Sequence, residues 1–189
     1  MTAQPPSTEK KLDEVYRLIE DCQIAVLTTR RPDGHLVSRP MATQKRITGV
    51  DLWFVTDRSS HKCEELESDN HVNISYTLSG GTRGWVSISG FAKFVDDRRR
   101  IHELYRPDWK AWFGDMGDAR NGSPDDPRIG LIYVDAQTVT YMTPELSRPR
   151  LLFEVMKGMV TGETPPAGTV KHISRSELEG QGGVRAGGE

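Results

Sequence analysis

The period of the apolar positions changes several times along the chain, and each change marks an element. From residue 8 to 20, Leu12, Val15, Tyr16 and Ile19 recur at three- and four-residue steps, the stripe of an amphipathic helix. Ser7 or Thr8 can cap that helix, and Glu9 suits its first turn. Residues 23–29 and 35–44 read as strands. Between them Arg31-Pro-Asp-Gly34 is a turn, because proline presets one φ and glycine supplies a positive one, so the two strands form a hairpin. A second turn at Gly49-Val-Asp51 leads to a third strand over 52–56. A helix over 59–68 follows, with Cys63 and Leu66 facing inward.

Period two returns over 71–77, with Val72, Ile74 and Tyr76 on one face and Asn73, Ser75 and Thr77 on the other. A flexible loop, Ser79 to Gly84, precedes one long strand over 85–95, with a bulge or bend predicted at Gly90. Helices are predicted over 97–106 and 108–113, a polar loop over 114–127 and a last long strand over 129–142; residues 149–157 fit either a helix or a strand. The first three strands have no helix between them, so they cannot be parallel neighbours joined by ordinary crossovers. The pattern predicts a mainly β (α+β) fold: five or six antiparallel strands closing into a small barrel, with helices at its periphery. A single domain is expected over residues 8–160. It lies between a flexible N-terminus (1–7) and a Gly- and Pro-rich tail (161–189) that reads as loosely ordered.

Composition narrows the function classes. The formal net charge is −2, which gives no reason to expect nucleic acid as a partner, and Arg98-Arg99-Arg100 and Lys45-Arg46 read as solvated faces. Cys22 and Cys63 have no metal spacing and no CxxC pattern, and read as reduced thiols. No apolar run approaches the ~20 residues that span a bilayer. The first residues lack a charged-then-apolar leader pattern, so a soluble, cytoplasmic protein is expected. The five histidines lie in separate segments without HExxH, and no GxSxG, P-loop or GxGxxG pattern occurs. Metal-dependent hydrolysis and Rossmann-type dinucleotide binding are therefore disfavoured.

Three segments could carry chemistry. Ser59, Ser60, His61 and Lys62 open a helix that follows a strand, where free N–H groups and the helix dipole favour an anion such as phosphate; simple capping would also explain them. Arg39 on the neighbouring strand could add a bidentate contact. Arg39-Pro40-Met41 is unusual in a strand, because proline donates no ladder bond. Either the strand is an edge, or the ladder breaks there so that backbone groups can face a ligand. The alternation places Val37, Arg39, Met41 and Thr43 on one face, and Gln44 ends the strand with an amide that suits the edge of a heterocycle. Trp109 and Trp112, at i and i+3, read as core or interface anchors or as ligand platforms, and Trp85 could stack on a ring or plug a barrel end.

In order along the chain, Ser38-Arg39-Pro40-Met41, Trp53-Phe54-Val55-Thr56-Asp57, Ser60-His61-Lys62, Asn73-Ile74-Ser75-Tyr76, Val86 to Ala92, Trp112-Phe113 and Asp126-Pro127-Arg128 resemble the general stress protein branch of the pyridoxamine 5′-phosphate oxidase-like superfamily. The resemblance covers about residues 10–160. It implies a six-stranded antiparallel split β-barrel that binds FMN at a homodimer interface. It implies that Arg39, Pro40 and Met41 lie along the cofactor, that Gln44 reaches the flavin's pyrimidine edge, and that Thr56, Asp57, Ser60, His61 and Lys62 form the phosphate and ribityl end. Trp112 would reach the flavin of the partner subunit. The activity implied is that of a flavin-dependent oxidoreductase. Alternatives are a non-catalytic flavin carrier or sensor in stress response, or the same barrel holding deazaflavin or haem. His61 stands where the oxidase has arginine, and a neutral imidazole offers one donor where a guanidinium offers five. The C-terminus lacks the Arg- and His-bearing segment with which the oxidase grips its substrate, so the resemblance does not extend to pyridoxamine phosphate oxidation.

Overall fold

Described in a computed structural model are residues 6–47, 50–78, 84–143, 148–162 and 168–181. Helix α1 (Thr8–Glu20) starts at Ser7, whose hydroxyl accepts from the Lys10 N–H. Then come β1 (Ile24–Arg30), β2 (Leu36–Ala42), β3 (Leu52–Asp57), α2 (His61–Ser68), β4 (His71–Thr77), β5 (Trp85–Val95), α3 (Arg98–Leu104), a 3-10 turn (Pro107–Trp109), α4 (Lys110–Phe113), β6 (Ile129–Met142), α5 (Arg148–Thr161), β7 (Val170–Ile173) and α6 (Arg175–Gln181). The β1–β2 turn is as expected, with Gly34 at φ +88°. Residues 149–157, ambiguous by pattern, lie within a helix. The Gly49 turn, most of the Ser79–Gly84 loop, residues 1–5 and residues 182–189 lie outside the described residues.

One antiparallel sheet runs β2-β1-β4-β5-β6-β3, and β7 pairs with β6 off this path. The strand order brings its two ends, β2 and β3, side by side without a ladder between them, which is the split of the barrel. Strand β6 is the spine. One edge pairs with β5 from Leu131 to Met142, and its other edge is shared by β3 over Ile129–Val134 and by β7 over Val139–Met142. The register of β5 against β6 shifts between Ser89 and Gly90, which is the predicted bulge. A Cβ on Gly90 would sit 2.1 Å from the Asp135 carbonyl oxygen, so no larger residue fits there.

The alternation of β6 feeds two cores. Ile132 and Val134 point into the barrel with Leu27, Phe54, Ile74 and Tyr141, and α1 closes that core with Val15, Leu18 and Ile19. Ile129 and Leu131 point outward, where Ile101 and Trp109 from the inserted helices cover them together with Trp53. A strand buried on both faces needs the near-continuous apolar run seen here.

Helix α3 stops at Leu104, short of the predicted 106, because Pro107 pushes Arg106 into an extended conformation. Arg98 does not lie on a solvated face: its guanidinium donates to the Asp126 and Ile129 carbonyls. Residues 170–181, placed by composition in a loosely ordered tail, instead form β7 and α6. Ile173 is buried in the main core, and Lys11–Glu177 (2.6 Å) and Lys171–Glu14 (2.7 Å) tie this segment to α1. The polar loop before β6 is anchored by Asp126. Its fully buried carboxylate accepts from the Gly122 N–H (2.7 Å), the Arg128 N–H (2.9 Å) and the Arg128 guanidinium (2.7 Å). Burial alone would raise its pKa, but these donors outweigh burial and hold it at about 2.

Candidate functional site

The split between β2 and β3 leaves two strand edges without a ladder between them, and several of the residues singled out by sequence lie along it. At one end β3 runs into the turn that starts α2. Here the Lys62 ammonium donates to the Thr56 hydroxyl (2.8 Å) and the Ser60 hydroxyl (2.9 Å). Ser60 stands at the N-cap of α2 but makes no side-chain bond to a helix N–H. Its hydroxyl donates instead to the Asp57 carbonyl (2.5 Å), and although the Cys63 N–H is taken by the Ser60 carbonyl (2.9 Å), no side-chain cap occupies the His61 and Lys62 amides at the start of the helix. Among the described residues no carboxylate lies within ion-pair distance of Lys62. Burial pushes its ammonium below the ordinary lysine value. The Arg39 charge acts in the same direction, while Cys63, Asp57 and Glu65 oppose both. A half-buried ammonium held by neutral hydroxyls, beside a second cation, is an arrangement that an oxyanion would complete.

Arg39 does not stand free. Its guanidinium donates to the Thr29 hydroxyl (2.6 Å) and to Glu65 of α2 (2.6 Å), and Thr29 donates to the same carboxylate. Glu65 is only 5% exposed. Burial raises its pKa, but the Thr29 hydroxyl and the Arg39 charge outweigh burial and bring it below the ordinary value. Sequence reasoning missed both Thr29 and Glu65. Each does break an inward-facing apolar register, Thr29 after Ala25 and Leu27 on β1, Glu65 beside Leu66 on α2, and a polar residue in such a slot is the signal that could have found them.

The other predicted residues separate. Met41 is core, and Pro40 is exposed on β2, the end strand of the sheet path, which accounts for its tolerance there. The Asp57 carboxylate is occupied within its own turn by the Ser59 N–H (2.8 Å) and hydroxyl (2.6 Å). The His61 side chain is 92% exposed and reaches only Glu64, at 3.6 Å. Cys63 is buried and its thiol is pushed up by that burial, which makes it a poor nucleophile. Gln44 lies at the other end of the seam, in a cleft of about 430 Å³ formed by Gln44, Lys45, Ile47, Trp53 and residues 103–106. The Trp53 indole N–H donates to the Lys45 carbonyl (2.8 Å) and fixes one wall of that cleft. Trp109 is a core anchor, edge-on to Trp53 and Tyr105, whereas Trp112 is 80% exposed and touches neither end of the seam. Of the ten predicted residues, the structure thus brings Thr56, Ser60 and Lys62 together with Arg39 close by, sets Gln44 at the far end, and turns His61 and Trp112 away.

Comparison with known proteins agrees with this architecture. Residues 10–166 match the family described as pyridoxamine 5′-phosphate oxidase like. Protein bli-3 of Neurospora crassa is 35% identical over 174 residues, which is 90% of this chain and 83% of that protein. A solved structure from Jannaschia sp. CCS1, described as a general stress protein 26, superposes with a TM-score of 0.64 at 21% identity, covering 88% of this chain and 99% of that one. A general stress FMN/FAD binding protein from Xanthomonas citri gives a TM-score of 0.58 at 25% identity, with 73% and 92% covered. The fold, the order of motifs and the match over most of the length lead to one conclusion: this chain belongs to the pyridoxamine 5′-phosphate oxidase-like family.

Proposed function

We propose that this chain binds FMN along the β2–β3 seam, with the phosphate at Lys62 and the ring toward Gln44, and acts as a flavin-dependent oxidoreductase working as a homodimer with the cofactor at the subunit interface. The observation that carries the reading is the Lys62 ammonium on two hydroxyls at the start of α2. From Trp53 at the cleft to Asp57 at the turn is about 13 Å of extended chain, room for a ribityl chain between a ring and its phosphate. Family membership supports a flavin, and so does the likeness to the Xanthomonas citri protein described as FMN/FAD binding.

In this arrangement Lys62 supplies the charge for the phosphate, and Thr56 and Ser60 can turn their hydroxyls toward its oxygens. Arg39 keeps Glu65 neutralised, so that the carboxylate does not repel the anion, and lends its own residual field. Gln44, whose amide nitrogen already donates one hydrogen to the Ala42 carbonyl (3.1 Å), offers one further amide donor and one acceptor to the ring edge. A bound flavin supplies the hydride or electron transfer itself. The purified protein should show the absorption bands of oxidised flavin and release FMN on denaturation. A colourless protein that takes up no added FMN would overturn the proposal. Bleaching by NAD(P)H would support turnover, and a bound flavin that no such donor reduces would point to a carrier or sensor.

A further inference from the structure

Arg46 reads by sequence as surface charge and Tyr16 as one more apolar position on α1. The structure stacks them: the Arg46 guanidinium carbon sits 3.8 Å from the centre of the Tyr16 ring, well inside the reach of a cation–π contact. Tyr16 is half-buried and packs against the main core. Behind it, Tyr16 and its α1 neighbours Leu12, Val15 and Ile19 line a small apolar void closed by Leu178 of α6. Lys11–Glu177 (2.6 Å) and Glu14–Lys171 (2.7 Å) fasten α1 to that C-terminal segment. The Tyr16 ring is therefore a fixed surface, backed by the core and held in place at the end of the chain.

On the other side of Arg46 lies the cleft. Gln44, Lys45 and Ile47 line it, and all three follow the last residue of β2, where the ladder with β1 has ended. Two bonds hold this wall from the sheet side: Gln44 donates to the Ala42 carbonyl (3.1 Å) and the Trp53 indole donates to the Lys45 carbonyl (2.8 Å). Arg46 holds it from the α1 side. We infer that Tyr16 and Arg46 are positioning residues for the ring end of the cofactor, their stacking fixing residues 44–47 so that Gln44 keeps its place at the cleft. The inference rests on the FMN reading above, which directs the ring toward Gln44. A glutamine on a loose segment loses rotamer and backbone freedom with every contact it makes. A clasp on the adjacent residue removes part of that cost before the ligand arrives.

The test is titration of the full chain with FMN and with riboflavin, followed by flavin fluorescence, beside thermal melting by circular dichroism. Riboflavin has the ring and the ribityl chain without the phosphate, so it reads the ring end alone. Arg46→Ala and Tyr16→Leu should each raise both dissociation constants by about two- to fivefold, with the same factor for the two ligands. Tyr16→Phe keeps the π face and should bind as wild type does. The double change Arg46→Ala with Tyr16→Leu should lose no more than either single change. Gln44→Leu should cost less in the Arg46→Ala background than in wild type, because Arg46 acts through Gln44. Lys62→Ala, at the other end of the seam, should weaken FMN and leave riboflavin unchanged. Unchanged dissociation constants in Arg46→Ala, additive losses in either double change, or a Tyr16→Phe as damaging as Tyr16→Leu would each overturn the inference. A lowered melting temperature with both dissociation constants unchanged would overturn it too, leaving the pair a stability contact. A wild-type chain that binds neither flavin removes the FMN reading and the inference with it. A chain that binds both while the clasp variants stay indifferent removes the inference alone.

Discussion

Two buried acid–base clusters, one at the Asp126 loop and one at the start of α2, look alike in composition and differ in what they leave unmet. Asp126 and Arg128 are two residues apart in sequence, and every lobe of the carboxylate meets a donor from the same loop. That cluster is closed and organises a loop. At α2 the partners come from three elements. Arg39 and Glu65 neutralise each other, while Lys62 is left on hydroxyls. Burial of charge therefore does not by itself mark a site; what sets the α2 cluster apart is a cation with no carboxylate within ion-pair distance among the described residues, which is what the proposed FMN phosphate would answer.

The largest effect should come from breaking the pair at the site. Arg39→Ala leaves Glu65 buried and uncompensated and should cost about 3–5 kcal/mol in denaturant unfolding. Arg39→Met with Glu65→Leu should recover most of that loss, because both charges then disappear together; failure of the double change to recover would mean that Arg39 acts through something other than Glu65. Next in size is Lys62→Ala, expected to weaken FMN by about 1.5–3 kcal/mol in a titration followed by flavin fluorescence, with stability unchanged or raised. The affinity should also fall as pH rises through the lowered lysine pKa, since the charged form binds.

Asp126→Asn should cost about 2 kcal/mol, from a carboxylate held at about 2 instead of its ordinary 3.8. The sign follows from the lowered value. The contribution is present above the ordinary carboxylate value and is lost as pH falls through about 2, so wild type and variant should converge in strong acid. FMN affinity should not change. The smallest effect belongs to His61→Ala, within about 0.5 kcal/mol for both stability and FMN, because its side chain points to solvent. A tenfold loss of FMN affinity there would place His61 back in the site.

Much of this was legible in the chain. The strands of the sheet path, the Gly34 turn and the Gly90 bulge follow from period and from backbone chemistry at single residues. The cluster at Thr56, Ser60 and Lys62 was legible for the same reason: its members are close in sequence, so a strand followed by a helix brings them together. Arg39 with Glu65 was not, because that pair depends on which face of α2 meets β1 and β2, a fact of packing. Trp112 and His61 point to solvent on the single chain; their side-chain directions depend on helix phase, which a motif match does not carry. The tail was misread because glycine and proline dominate its composition, while four residues, Val170 to Ile173, suffice to extend a ladder.

That short strand matters beyond its size. An open strand edge is a template for pairing with another chain. β3 occupies the outer edge of β6 only as far as Val134, and β7 takes up Val139–Met142. A chain ended after Gly162 would keep the six strands of the sheet path and the seam, lose Ile173 from the core, and carry a bare row of ladder groups beside Val139–Met142. Such a truncation would fail first by edge-to-edge aggregation, with the Thr56–Lys62 turn intact. β7 is in that sense a guard on the chain's behaviour at high concentration, encoded in a segment whose composition suggests it could be spared.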